Sequence, residues 1–149
     1  MQVTTGRHPF EVAVLAAAAA CGLTLMVSGV SPRSVAAAMP EFVQVLWQVG
    51  LLAGGIIGLV GTFWPGKLAA QLGAEAVGVM FLGSATTMYT IALFTVSGTQ
   101  AIAAGAFVGA VALASWARAG QIARDLRKVA AATATGNTAD VTLLVEDRR

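Results

Sequence analysis

The sequence predicts an all-α integral membrane protein. The expected architecture is four transmembrane helices in an antiparallel bundle, the last helix extended into a basic amphipathic cytoplasmic segment. Three observations carry this. Hydrophobic residues make up 57% of the 149-residue chain and charged residues 11%, against roughly 25% charged in ordinary soluble proteins. The charges are segregated: residues 12–32, 42–66 and 76–117 hold none. The basic residues gather at one side of the expected spans, the asymmetry that orients membrane helices. Nine basic and seven acidic residues are too few to wet a soluble domain of this length. A net charge of +2 makes no case for nucleic-acid binding.

Residues 1–9 form an N-terminal tail on the cytoplasmic side, with Arg7 as an inside anchor and His8 beside it. The first span, about 10–30, opens Pro9-Phe10-Glu11. Proline suits the first helical position because its missing N–H would be unpaired there anyway. An acid in the first turn faces the positive end of the helix dipole, and Glu11 can reach back to the His8 backbone N–H. The alternative, a His8–Glu11 proton or metal pair, lacks the three or four ligands that zinc takes. Cys21 cannot form an internal disulfide, since it is the chain's one cysteine. An Ala-x-Ala pattern ending at Ala38 is the mark of a signal-peptidase site. The length of the run, Glu11 at its border and Arg33 before the cut argue against cleavage.

The second span, about 42–64, opens Pro40-Glu41-Phe42, repeating the proline-acid entry. It carries Gly50, Gly54, Gly58 and Gly61 on one face and ends in Trp64. Small residues four apart let helix backbones approach closely in lipid, either within one chain or between copies. The third charge-free stretch, residues 76–117, is about twice the length one helix needs. Ser97-Gly98-Thr99-Gln100 near its middle is turn chemistry, so the stretch is divided into spans of about 76–96 and 100–117, the former opening near Glu75.

The third span is the most polar. Ser84, Thr86, Thr87, Thr90 and Ser97 are its candidates for a pore-facing stripe; Gly83, Thr86, Thr87, Thr90 and Ser97 fall within about 100° of arc. Such hydroxyls can bond backbone carbonyls one turn back and face the bundle interior, or line water when several copies assemble. Tyr89 lies off this stripe. The fourth span carries Gly105 and Gly109, spaced for helix packing or oligomerisation, and Trp116 at its inner end. Trp64, Trp116, Lys67, Arg118, Arg124, Arg127 and Lys128 are the interface anchors on the cytoplasmic side, where both termini lie; only Arg33 falls on the other. Ile122, Leu126 and Val129 recur at helical spacing, so the last helix runs on to about 131. This basic amphipathic extension either lies on anionic lipid or only enforces orientation. Residues 133–149 read as a flexible tail. The membrane domain is thus 10–132.

With this layout in place, "RHPFE" before the first span, the glycine-rich second span ending in Trp64, and "RAGQIARDLRK" after the fourth are similar to small tetraspan membrane proteins of actinobacteriophages, often identified as holin-like. The resemblance covers most of the chain. It implies a protein of the bacterial host's inner membrane that accumulates, oligomerises and opens holes, releasing or activating a cell-wall hydrolase. The expected partners are the lipid bilayer, further copies of the chain, and a phage lysis or host membrane protein. Four spans are more than the commonest holin layouts have. That keeps a second class open, a non-enzymatic accessory or structural protein such as an assembly partner or superinfection-exclusion factor. A small transporter ranks last, because no Asp, Glu, Lys or Arg is expected mid-membrane to partner a coupled ion. The expected cytoplasmic segments offer no nucleophile–base pair and no metal cluster, so neither an enzyme nor a cofactor is expected.

Overall fold

The computed structural model describes residues 9–64 and 68–134, and among them every element is helical. They are α1 (Pro9–Ser28), α2 (Arg33–Ala38), α3 (Glu41–Phe63), α4 (Leu68–Ser97), a 3-10 turn (Gly98–Ala101) and α5 (Ile102–Ala134). Three segments are long and apolar enough to cross a membrane: Pro9–Ser28, Glu41–Phe63 and Ala69–Ala131. The third contains α4, the turn and α5.

Local chemistry sets the ends. α1 stops where Gly29 takes a φ of 64° and its N–H bonds the Leu25 carbonyl at 3.1 Å, a left-handed cap that glycine adopts without steric cost. Pro32 and Pro40 stand immediately before α2 and α3 in extended conformation, where proline is preorganised and its missing N–H is harmless. Gly98 turns the chain between α4 and α5 with a φ of 53°, at the turn expected from its sequence.

Two elements differ from expectation. The segment between the first two spans is not a plain loop: α2 folds there, burying Val35 completely and packing against α4 and α3. The third long helix begins at Leu68, not near Glu75, so Glu75 is its eighth residue. Residues 68–74 are mostly alanine and leucine, which favour helix. A search for charge-free runs cut the helix at Glu75 because it could not see that this charge is compensated by another helix.

The helices pack in series. α1 lies on α3, α3 on α4, and α4 on α5. Along each seam, contacts advance in opposite sequence directions. Gly22 meets Leu52 while Gly55 meets Leu15 and Ala19; Gly50 meets Ala85 while Gly61 meets Glu75; Gly109 meets Thr90 while Gly83 meets Ser115 and Trp116. Among the described residues the extended interfaces are α1–α3, α3–α4 and α4–α5, and α1 also comes near α5 at one end, where Arg118 reaches Glu11.

The interior is small-featured and the exterior large. Gly50, Gly54, Gly55, Gly58, Gly61 and Gly78 are buried, whereas Phe10, Val27, Phe42, Phe107 and Leu113 are each more than 70% exposed. This inverts the soluble pattern, in which large apolar patches stay covered, and suits a chain surrounded by lipid, where close backbone packing holds helices together. Leu15, Ala18, Val35, Trp47, Leu51, Leu82 and Ala85 form the main core, drawn from α1 to α4. Trp47 anchors it. Its indole Nε1 donates to the Ala85 carbonyl at 3.0 Å, and its ring lies 5.4 Å from that of Tyr89. Trp47→Phe keeps a ring there and removes the donor. The expected loss is about 1 kcal/mol, read as a lower midpoint in thermal unfolding in detergent; an unchanged midpoint would mean the bond contributes nothing.

Candidate functional site

Three helices bring charges together at one end of the packed helices. α4 supplies Glu75, α5 supplies Arg118 and α1 supplies Glu11, the third residue of its first turn. One Arg118 guanidinium nitrogen donates to Glu75 Oε1, and Nε lies 3.5 Å from Glu11 Oε1. The Glu75 side chain is only 6% exposed; those of Arg118 and Glu11 are 25% and 20% exposed. Gly61 makes the arrangement possible, because a Cβ there would fall on the Glu75 backbone nitrogen. α3 thereby closes over the backbone that presents Glu75. Two carboxylates around one guanidinium leave one negative charge in surplus. Arginine suits such a position because its planar fork can engage two acceptors at once.

Below the cluster, α4 and α5 continue together. Ile122 and Leu72 are almost fully buried against one another's helices, with Val79, Ala76, Ala119 and Leu126 around them. The apolar face of the basic extension is therefore spent on α4. This departs from a segment lying flat on lipid, which needs that face free.

The glycines singled out from the sequence mostly pack inside the chain. Gly50, Gly54 and Gly61 face α4, Gly58 faces Leu15 of α1 and the backbone of Gly78, and Gly105 faces the Phe94 ring. Gly109 lies against Thr90. The expected polar stripe is divided. Thr86 is buried and donates to the Leu82 carbonyl at 2.7 Å, Thr87 to Gly83 at 2.6 Å and Thr90 to Thr86 at 2.8 Å. Thr87 also accepts from Trp116 Nε1 at 3.2 Å, so Thr87 and Thr90 are covered by α5. Ser84 is exposed on another face, and Ser97 is half-buried at the turn. Of the expected anchors, Trp64, Trp116, Arg124, Arg127 and Lys128 are exposed, Trp116 while bonding Thr87 of α4, and Arg118 is half-buried against Glu75 of α4. Arg7, Lys67, His8 and the tail beyond 134 lie outside the described residues.

Sequence reasoning missed the Glu75–Arg118–Glu11 cluster. A signal was present: Glu75 and Arg118 stand 22 and 18 residues from the ends of the Ser97–Gln100 turn, so a hairpin brings them to similar depth. It also missed the buried Gln48, whose Nε2 donates to Ser31 Oγ at 3.2 Å and ties α3 to the segment before α2. Among the described residues, no three His, Cys, Asp or Glu side chains converge where a metal ion could be held. No protein-family model, curated protein or solved structure matches the chain significantly.

Proposed function

We propose that the chain crosses the bacterial inner membrane four times as α1, α3, α4 and α5, with both termini cytoplasmic, and acts as a holin-like protein that self-associates and permeabilises that membrane. The observation that carries this reading is that α1 and α5 leave large apolar side chains uncovered by the rest of the chain, among them Leu23, Val27, Phe107 and Leu113. α1 and α5 each pack lengthwise on one helix and present apolar outer faces, so further copies can pack on the exposed face of α1 and the first turns of α5 without disturbing the internal glycine seams. Antiparallel contacts along all three seams support four crossings. The basic end of α5, with Arg118, Arg124, Arg127 and Lys128, supports a cytoplasmic C-terminal side.

One observation favours a second reading, a non-enzymatic accessory membrane protein. The threonine hydroxyls of α4 are back-bonded and largely covered within the chain, so a water-lined path through them requires the helices to rearrange. Induced expression in a bacterial host, with membrane potential followed by a voltage-sensitive dye, separates the two. The holin-like reading expects abrupt depolarisation and growth arrest once the protein accumulates. Steady potential at high membrane levels would reject it, and co-purification of a stable partner would then favour the accessory role.

A further inference from the structure

The structure assigns the outer face of α5 a binding site for an anionic phospholipid. α5 packs lengthwise on α4 alone, and at 100° per residue Leu113, Ala117, Gly120, Arg124, Arg127 and Lys128 fall within about 60° either side of one line along it. All six are exposed. They point away from the Ile122–Leu126 face that packs on α4. An apolar strip thus runs directly into three positive charges with nothing from the chain between them. Gly120 sits at the junction, and a Cβ there would meet nothing within 4 Å, leaving a notch between the acyl-facing part and the basic part.

The depth fits a headgroup. This step rests on the proposed crossing of the membrane by α5. α1 begins at Pro9 and α3 ends at Phe63, each two residues from the Glu11 and Gly61 that meet the charge cluster. The hydrocarbon boundary therefore lies near the level of Arg118. Arg124 is six residues further, about 9 Å at 1.5 Å per residue, while the headgroup layer is roughly 5–8 Å deep on each side. Side chains on a helix lean toward its N-terminus, which for α5 is toward the membrane. Arg124 does this: its Nε donates to the Gly120 carbonyl one turn back, at 3.2 Å, drawing the guanidinium into the headgroup layer. Arg127 and Lys128 follow about one turn below, within reach of the surface field. Asp125, on the flank of the stripe, leaves a surplus of two positive charges (three minus one) on this stretch. An anionic diacyl lipid matches both halves of the site; an acidic protein matches only the basic half.

The test uses the full chain reconstituted in nanodiscs of equal phosphatidylglycerol and phosphatidylcholine, followed by native mass spectrometry of lipids retained on the protein. The wild-type chain is expected to retain phosphatidylglycerol over phosphatidylcholine by about fivefold or more, the factor that one basic residue near a charged surface contributes. R124Q/R127Q/K128Q is expected to retain the two nearly equally, and Arg33→Gln to behave as wild type. Equal retention by wild type, or a preference that survives the triple substitution, would overturn the site. Loss of the preference in millimolar inorganic phosphate would overturn it in favour of a simple anion site. Salt-sensitive capture of an acidic protein with no lipid preference would overturn it in favour of a protein partner. Flotation of each variant with vesicles is read separately: a chain that does not float overturns the four-span proposal itself, whereas flotation with equal retention overturns the lipid site alone.

Discussion

Replacing Arg118 with alanine is expected to destabilise the protein by about 3–5 kcal/mol, the range for removing one partner of a buried ion pair. The lower end is expected, because the Arg118 side chain is 25% exposed. The loss comes from Glu75, whose carboxylate would remain among the packed helices without its compensating charge. Glu11 adds less, since it is more exposed and 3.5 Å from the guanidinium. The double variant R118A/E75Q removes the stranded charge and is expected to regain a large part of the loss. Thermal unfolding in one detergent, with helicity followed by circular dichroism, compares the two. Equal midpoints for R118A and R118A/E75Q would show that the loss is packing and not charge. Glu11→Gln is expected to move the midpoint far less than Arg118→Ala.

The second large effect lies on the α3–α4 seam. Gly78→Ala puts a Cβ onto the backbone of Gly58, which cannot yield unless α3 moves. Overpacking of this kind costs about 1–3 kcal/mol or more, against a helix-propensity gain of at most about 1 kcal/mol. Gly73→Ala, five residues earlier in the same helix, meets nothing within 4 Å and is expected to be neutral or slightly stabilising. A clear loss at Gly78 with none at Gly73, for one substitution in one helix, is the diagnostic result in the same melts. If both variants melt alike, close backbone approach does not hold this seam.

The spans were legible because lipid imposes a one-dimensional rule. A helix must present about 20 apolar residues, so α1 and α3 could be bounded to within a few residues from charge placement and the Pro9 and Pro40 entries. The Gly98 turn was legible for a similar reason, as glycine among small polar residues marks a reversal locally. The start of α4 was not. Glu75 reads as a boundary in one dimension, and only a partner 43 residues away makes it an interior residue. α2 was missed because six residues form a helix there through tertiary burial of Val35, not through a periodic pattern long enough to detect.

The candidate site divides the same way. The basic residues of α5 and the glycine spacings were visible, but their directions were not. Glycines four apart pack equally well within a chain or between chains; the backbone positions of Leu82, Glu75 and Gly78 opposite them decide for the inside. Likewise Ile122, Leu126 and Val129 describe an amphipathic helix whose apolar face fits either lipid or protein, and Leu72 on α4 takes it. By itself the sequence determined the apolar, helical character of this protein, its turns and the side on which its positive charge collects. Those are properties of single residues and their near neighbours in an apolar medium. The tertiary structure alone decided that the helices pack in the series α1–α3–α4–α5, that Arg118 joins Glu75 and Glu11, and that the basic stripe of α5 faces outward. Each of those depends on which residue of a distant helix arrives opposite, a pairing that local composition leaves degenerate.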